Sequence, residues 1–238
     1  MKKAIVIGAT SGIGKRLAEI LAKDGYKVGI TGRRTELLLD LQRQNPDAFV
    51  TRSFDISDAA LLVDNLEELV SELGGLDLLV ISSGTGDLNG TLDFQIEKRT
   101  IDTNVTGFTG IAGWAFNHFQ KQGYGHLVAI TSIGGLRGSR EAPSYNASKA
   151  YQINYMEALT QKAAKTNNRI VVTDIRSGLV ATAMAKGKGL FWVMPVEKTV
   201  RQIYGAIKRK KRVAYVTKRW KVIAWALQQL PNFIYDKM

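Results

Sequence analysis

Six short apolar runs, at 4–7, 27–31, 49–54, 76–81, 126–131 and 170–175, alternate with helical stretches over the first 180 residues. The first, Ala4-Ile5-Val6-Ile7, contains no polar residue, the pattern of a strand covered on both faces. Between the runs lie helical patterns at 14–24, 34–44, 58–73, 93–122 and 144–166. In the first of these, Leu17, Ile20 and Leu21 keep helical spacing, and Gly25 stands where such a helix ends. Strands that alternate with helices predict an α/β fold, a doubly wound parallel sheet with helices on both faces. No internal repeat and no linker rich in Gly, Ser or Pro divides the 238 residues, so a single domain is expected. Within it, 1–182 reads as the core, and 183–238 as a lid followed by a basic, aromatic extension.

Composition removes whole classes of chemistry. There is no cysteine, which excludes thiolate catalysis, disulfides and Cys-ligated metal centres. The two histidines, His118 and His126, leave little material for a transition-metal site. The apolar run after Met1-Lys2-Lys3 stops at Gly8, too short for an export signal. No window reaches the roughly 18–20 apolar residues of a spanning helix, so a cytoplasmic protein is expected. The net charge of +12 is unevenly placed. Residues 1–185 hold 20 Lys/Arg against 19 Asp/Glu, and residues 186–238 hold 13 against 2. An anionic partner therefore concerns the last part of the chain alone.

Directly after the first run comes Gly8-Ala9-Thr10-Ser11-Gly12-Ile13-Gly14, and a helix follows. Glycines permit a tight turn and a close approach of backbone N–H groups to a pyrophosphate, and a helix N-terminus adds partial positive charge. At the end of the second run, Thr31-Gly32-Arg33-Arg34 has no carboxylate before Glu36. An acidic residue there suits the ribose hydroxyls of NAD, whereas arginine suits a 2′-phosphate. NADP(H) is the expected cofactor, with NAD(H) the second choice; Arg33 is the first candidate phosphate ligand and Arg34 the second.

Farther along, Tyr145 and Lys149 in Tyr145-Asn146-Ala147-Ser148-Lys149 share one helix face. An ammonium about 4 Å from a phenolate, at an effective dielectric near 20, offers roughly 4 kcal/mol. That would lower the phenol's pKa by up to about three pH units and leave a proton donor and acceptor near working pH. Ser132 closes the fifth run, 13 residues before Tyr145, and the carboxyl ends of parallel strands are where ligands bind.

Taken together, in this order and spacing, the motifs over about 1–182 resemble the short-chain dehydrogenase/reductase family. The resemblance implies a Rossmann-type fold and an oxidoreductase that moves hydride between nicotinamide and a carbonyl or alcohol carbon of a small molecule. It implies Tyr145 as acid/base, Lys149 as its partner and ribose ligand, Ser132 as donor to the substrate oxygen, and Asn104 as anchor of a water in the proton relay. On the cofactor side it implies Gly8, Thr10, Ser11, Gly12, Ile13 and Gly14 at the pyrophosphate and Asp55 and Ile56 at the adenine. Gly84, Gly178, Val180 and Thr182 complete that set. A homodimer or homotetramer through the helices at 93–122 and 144–166 is a further implication.

Three positions depart from the family pattern. Ile81-Ser82-Ser83-Gly84 stands where Asn-Asn-Ala-Gly is usual, Ser177 replaces a proline, and Ser11 replaces a basic residue of the glycine loop. The extension at 208–235 combines Lys208-Arg209-Lys210-Lys211-Arg212 and Lys218-Arg219-Trp220-Lys221 with a stripe of Ile223, Leu227, Leu230 and Ile234 that Pro231 should interrupt. Two readings stand for it. It lies in an anionic membrane surface, which would place the protein peripherally on the cytoplasmic face. Alternatively it closes over the pocket or meets another subunit with its lysines solvated. Nucleic acid is not expected. Leu190, Phe191, Trp192 and Met194 read as an apolar lid over a hydrophobic or lipid-like substrate. The non-enzymatic alternative is an NADP-binding sensor or scaffold tethered to a membrane by this extension.

Overall fold

The computed structural model describes residues 1–185 and 191–237, so Leu190 of the expected lid lies outside the described residues. Seven strands form one parallel sheet in the order β3-β2-β1-β4-β5-β6-β7. They are β1 (Lys2–Ile7), β2 (Tyr26–Gly32), β3 (Phe49–Ser53), β4 (Leu78–Ile81), β5 (Tyr124–Ser132), β6 (Arg169–Ser177) and β7 (Val213–Val216). The helices are α1 (Gly12–Lys23), α2 (Thr35–Gln44), α3 (Ala59–Leu73), α4 (Phe94–Ile101), α5 (Phe108–Gln122) and α6 (Pro143–Ala164). Then come α7 (Val196–Lys208), α8 (Trp220–Gln229) and α9 (Asn232–Tyr235).

Alternate residues of the apolar runs feed two cores. Ala4 and Val6 point into one with Leu17, Leu21, Leu38 and Leu41 from α1 and α2 and Val200 and Ile203 from α7. Ile5 and Ile7 point into the other with Leu66 and Leu69 from α3, Phe108 and Phe116 from α5, and Met156 from α6. This two-sided burial is why β1 tolerates no polar residue between Ala4 and Ile7. The strand order reverses between β1 and β4, which opens a crevice beyond their carboxyl ends.

Two elements differ from the expected pattern. The stretch at 93–122 is not one regular helix, because a π-helical segment, Asp102–Gly107, joins α4 to α5. The extension is not all surface. α7 buries Thr199, Val200, Ile203, Ala206 and Ile207, and β7 pairs with β6. The two basic clusters therefore sit at opposite ends of β7, about 13 Å apart along the strand.

Candidate active site

Beyond the carboxyl ends of β1, β4, β5 and β6 lies a cavity of about 1170 Å³. Its floor begins at the turn after β1, where the Gly8 and Ala9 N–H groups donate to the Thr31 carbonyl at 3.1 and 2.8 Å. Gly8 has φ +86°, and a Cβ there would fall 2.7 Å from the Ser83 backbone. A Cβ on Gly14 would fall 2.1 Å from the Gly8 carbonyl oxygen, so the loop closes only with glycine at both positions. The Ser11 hydroxyl does not cap α1. It accepts instead from Arg34 Nη2 at 2.8 Å, as Thr10 Oγ1 does at 2.7 Å. The first residues of α1, Gly12, Ile13 and Gly14, line the cavity, and no side chain caps their N–H groups.

The two arginines have separate tasks. Arg34 lies across the glycine loop, whereas Arg33 Nη1 pairs with Asp55 Oδ2 at 3.4 Å. Burial alone would raise the Asp55 carboxyl; hydrogen bonds from the Ser57 N–H and hydroxyl, together with Arg33, bring it below its ordinary value. Asp58, not Asp55, caps α3. Ile56 lies beside Asp55 on the cavity wall.

At the other end of the cavity, β5 delivers Ser132, and α6 delivers Tyr145 and Lys149. Pro143 in the first turn of α6 starts the helix with its φ already set. Ser132 Oγ accepts from the Gly134 N–H at 3.0 Å and donates to the Ser177 carbonyl at 3.4 Å, and it stands beside the Tyr145 ring at Gly134. Lys149 is 4% exposed; its Nζ donates to the Ile130 carbonyl at 3.2 Å and to Gln152 Oε1 at 2.8 Å. The ammonium stands 5.9 Å from the centre of the Tyr145 ring.

The electrostatics correct the sequence expectation. Burial pushes the Tyr145 phenol up, and the Ser132 hydroxyl opposes that only in part. Burial lowers Lys149 to about 8, while the Asp174 carboxylate works the other way. Lys149 spends two of its donors on neighbours other than the phenol, so it does not pull the phenol down. At neutral pH this arrangement holds a protonated phenol beside a serine hydroxyl, which makes it a proton donor.

Asn104, in the π-helical segment, stands behind the cavity wall. Its Oδ1 accepts from the Thr85 N–H at 2.9 Å, and its Nδ2 donates to the Thr85 carbonyl at 2.7 Å and to Ser148 Oγ at 3.0 Å. These bonds fix the loop after β4, which carries Gly84. The remaining sequence-predicted positions, Gly178, Val180 and Thr182 included, line the same cavity. Thr182 packs on the glycine loop, its Cγ2 lying 3.2 Å from where a Cβ on Gly12 would fall. Where the resemblance leads one to expect asparagine and alanine, Ser82 lines the cavity beside Ser83, whose buried hydroxyl has no hydrogen-bond partner among the described residues.

Four residues of this region escaped the sequence reading. Gly86 lets its loop lie on the Tyr145 ring, since a Cβ would fall 2.4 Å from Cδ2; only its spacing from Gly84 hinted at it. Gln152 lies one turn beyond Lys149. Asp174, 5% exposed, accepts from Thr131 and pairs with Arg176 at 2.7 Å; a carboxylate in an apolar strand was the available signal. Trp220 packs flat on Gly178, where a Cβ would fall 2.3 Å from the indole.

The roof comes from the extension. Ile223, Leu227 and Leu230 line the cavity, while Ile234, beyond Pro231, is 42% exposed and does not continue the stripe. Phe191 and Trp220 meet at 5.4 Å between ring centres, with Trp192 against both. Arg137 latches the roof: Nη1 donates to the Leu230 carbonyl at 3.0 Å, Nη2 to Asn232 Oδ1 at 2.9 Å, and the guanidinium lies over the Tyr235 ring. Helix α8 therefore closes the pocket and leaves Val222 and Trp225 on its outer face.

Comparison with known proteins agrees with this geometry. Residues 2–190 match the family model described as short chain dehydrogenase. An uncharacterized oxidoreductase of Myxococcus xanthus (strain DK1622) is 34% identical over 188 residues, covering 77% of this chain and 74% of that one. One from Staphylococcus aureus (strain USA300) is 31% identical over 186 residues, covering 77% and 80%. Among solved structures, a short chain dehydrogenase from Bacillus anthracis superposes with a TM-score of 0.82 at 17% identity over 97% of both chains. The closed form of serine dehydrogenase complexed with NADP+ superposes with a TM-score of 0.79 at 22% identity, over 90% of this chain and 94% of that one.

Proposed function

The chain belongs to the short-chain dehydrogenase family, and from that premise we propose that it is an NADP(H)-dependent carbonyl reductase/alcohol dehydrogenase. The observation that carries this reading is that Ser132, Tyr145 and Lys149 line one end of the cavity together, with Lys149 anchored on the Ile130 carbonyl and Gln152. Nicotinamide, when bound, supplies the hydride for reduction of the carbonyl carbon. Ser132 orients the substrate oxygen, and Tyr145 gives it the proton, so the products are an alcohol and oxidised cofactor. A phenol held protonated by burial is in the state from which it can give that proton at neutral pH. The matched relatives are named as oxidoreductases, and no observation favours the sensor or scaffold reading.

The residues present fit the dinucleotide. Gly8 and Gly14 let the loop close against Ser83 and upon itself, where a Cβ would clash, beside the uncapped start of α1 that lines the cavity. Arg34, assisted by Arg33, would hold a 2′-phosphate, and no carboxylate stands at the end of β2 to repel it. Asp55 and Ile56 would meet the adenine, Lys149 the ribose, and Gly84, Gly178, Val180 and Thr182 the nicotinamide end. The NADP+ bound by the serine dehydrogenase neighbour supports a nicotinamide cofactor.

Ile223, Leu227, Leu230 and Phe191 around the substrate end favour an apolar, lipid-like ketone. The purified protein should oxidise NADPH faster than NADH in the presence of such ketones, and slower with small polar sugars. Cofactor binding without reduction of any carbonyl in a broad panel would overturn the enzymatic reading.

Two associations complete the proposal. Among the described residues no helix is long and apolar enough to cross a membrane. Helix α8 still presents exposed Val222 and Trp225 beside Lys218 and Lys221, with no carboxylate between Glu197 and Asp236, which suits contact with an anionic bilayer surface. Flotation with phosphatidylglycerol-containing vesicles should recover the protein at low salt; its absence from the vesicle fraction would refute the contact. The exposed side chains of Phe94, Ile101 and Tyr151 suit a homodimer or homotetramer through α4 and α6, which light scattering would report as a multiple of the chain mass.

A further inference from the structure

Lys149 carries a buried ammonium in a wall that is mostly apolar, and such a charge is costly unless its donors are met. One donor goes to the Ile130 carbonyl of β5 at 3.2 Å and another to Gln152 Oε1 at 2.8 Å. Gln152 is itself 1% exposed, and its other amide atom, Nε2, donates to the Asn104 backbone carbonyl at 2.9 Å. That carbonyl belongs to the π-helical segment, so the bond ties α6 to the irregular turn between α4 and α5. A continuous chain thus runs from the ammonium through one amide to the backbone behind the wall, and every polar atom of Gln152 is used in it.

We propose that Gln152 is a positioning residue that fixes the Lys149 ammonium in its charged state and aims its remaining donor at the cavity. A side-chain oxygen accepting from Nζ stabilises the cation over the neutral amine. The amide is rigid because its nitrogen is anchored on another element, so the oxygen cannot swing away. The other groups facing Lys149 are few. On its own helix stands Tyr145; from β6 comes Asp174, itself paired with Arg176 and bonded to Thr131; β5 offers the Ile130 carbonyl; and the loop after β4 brings Gly84, which has no side chain. Among the described residues only Gln152 accepts from Nζ with a side chain, so Gln152→Leu changes the ammonium's environment without altering the count of nearby charges.

This proposal rests on the oxidoreductase reading for its consequence in turnover, but its test does not. The titration of the Lys149 Nζ resonance should be followed by NMR in lysine-labelled wild-type protein, Gln152→Leu and Gln152→Glu. Removing the acceptor should lower the midpoint of Lys149 by about one pH unit. Gln152→Glu should raise it by a similar amount, because an anionic acceptor favours the cation further. A group that merely filled space would leave the Gln152→Leu midpoint at the wild-type value, whatever the added charge of Gln152→Glu does. Thermal melts identify a variant that fails to fold; Gln152→Met, which keeps the length and loses the acceptor, then takes the place of Gln152→Leu. A Gln152→Leu midpoint equal to the wild-type one, or a downward shift in both variants, would overturn the proposal whether or not the protein turns over. Opposite shifts in a protein that reduces no carbonyl would sustain it and count against the reductase reading instead. Where turnover is found, the alkaline limb of the kcat/KM profile should follow the same order: Gln152→Leu lowest, wild type between, Gln152→Glu highest.

Discussion

Replacing Arg34 with serine should abolish the proposed preference for NADPH and leave a protein that hardly distinguishes the two nicotinamide cofactors. Arg34 is exposed and spends Nη2 on the Thr10 and Ser11 hydroxyls, which aims its charge at the rim of the cradle. A hydrogen bond to a charged partner is worth about 1.5–3 kcal/mol when well shielded. At this exposed rim solvent screening reduces that to about 1–2 kcal/mol, or roughly a 5- to 30-fold rise in the NADPH KM. The NADH KM should stay within about twofold, since no 2′-phosphate is lost. Arg33→Ser should cost less, because Arg33 already faces Asp55 at 3.4 Å. Raising the salt concentration should erode the wild-type preference toward that of Arg34→Ser. Steady-state kinetics with each cofactor at a fixed carbonyl concentration provide the assay. Equal weakening of both cofactors would refute the reasoning, since it would mean that Arg34 acts only by stitching Thr10 and Ser11 into the loop.

Further outcomes follow from the same coordinates. Gly14→Ala drives a Cβ into the Gly8 carbonyl at 2.1 Å, and a loop displaced by about 1 Å should weaken NADPH binding by tenfold or more. Gly25→Ala, at φ +81° with nothing near, should cost about 1 kcal/mol of stability and leave NADPH binding unchanged; titration calorimetry and melts separate the two. His126, held by Thr173 at 2.8 Å, is pushed down to about 4, by burial first and then by Lys210. Its folded value lies below the unfolded one, so the stability it contributes is present above about pH 6.5 and is lost as the pH falls toward 4. That loss amounts to at most about 3 kcal/mol, and His126→Gln should flatten denaturant-measured stability across this window.

Much of the molecule is written in local patterns. The six runs become β1 to β6; β1, β2, β4 and β5 are buried on both faces, whereas β3, at the edge of the sheet, buries only Phe49. β7 was hidden for a physical reason. Val213-Ala214-Tyr215-Val216 is four residues long and lies between two clusters of lysine and arginine, so the charge that solvates its ends masks the strand. The apolar spacing of α7, at Val196, Val200, Ile203 and Ile207, was legible but lay within a stretch read as surface extension. The π-helical segment leaves no compositional trace, since Asp102–Gly107 would suit an ordinary helix.

At the site, sequence order located the cavity, which holds the glycine loop, Ser132, Tyr145 and Lys149 together. It did not reveal side-chain commitments. Adjacent arginines look alike in sequence, yet one crosses the glycine loop and the other meets Asp55. The spacing of Tyr145 and Lys149 suggested direct charge stabilisation; burial and the competing acceptors Ile130 and Gln152 decide otherwise. Distances of this kind depend on which strand ends beside which helix, and no local window contains that.

The claim on which the function depends is that the Tyr145 hydroxyl delivers the proton. Turnover of Tyr145→Phe at saturating NADPH and carbonyl, read beside its NADPH dissociation constant, tests it directly. The account predicts a loss of about 100-fold or more in turnover with the dissociation constant held within about threefold. Turnover within a few fold of wild type, with the cofactor still bound, would contradict it.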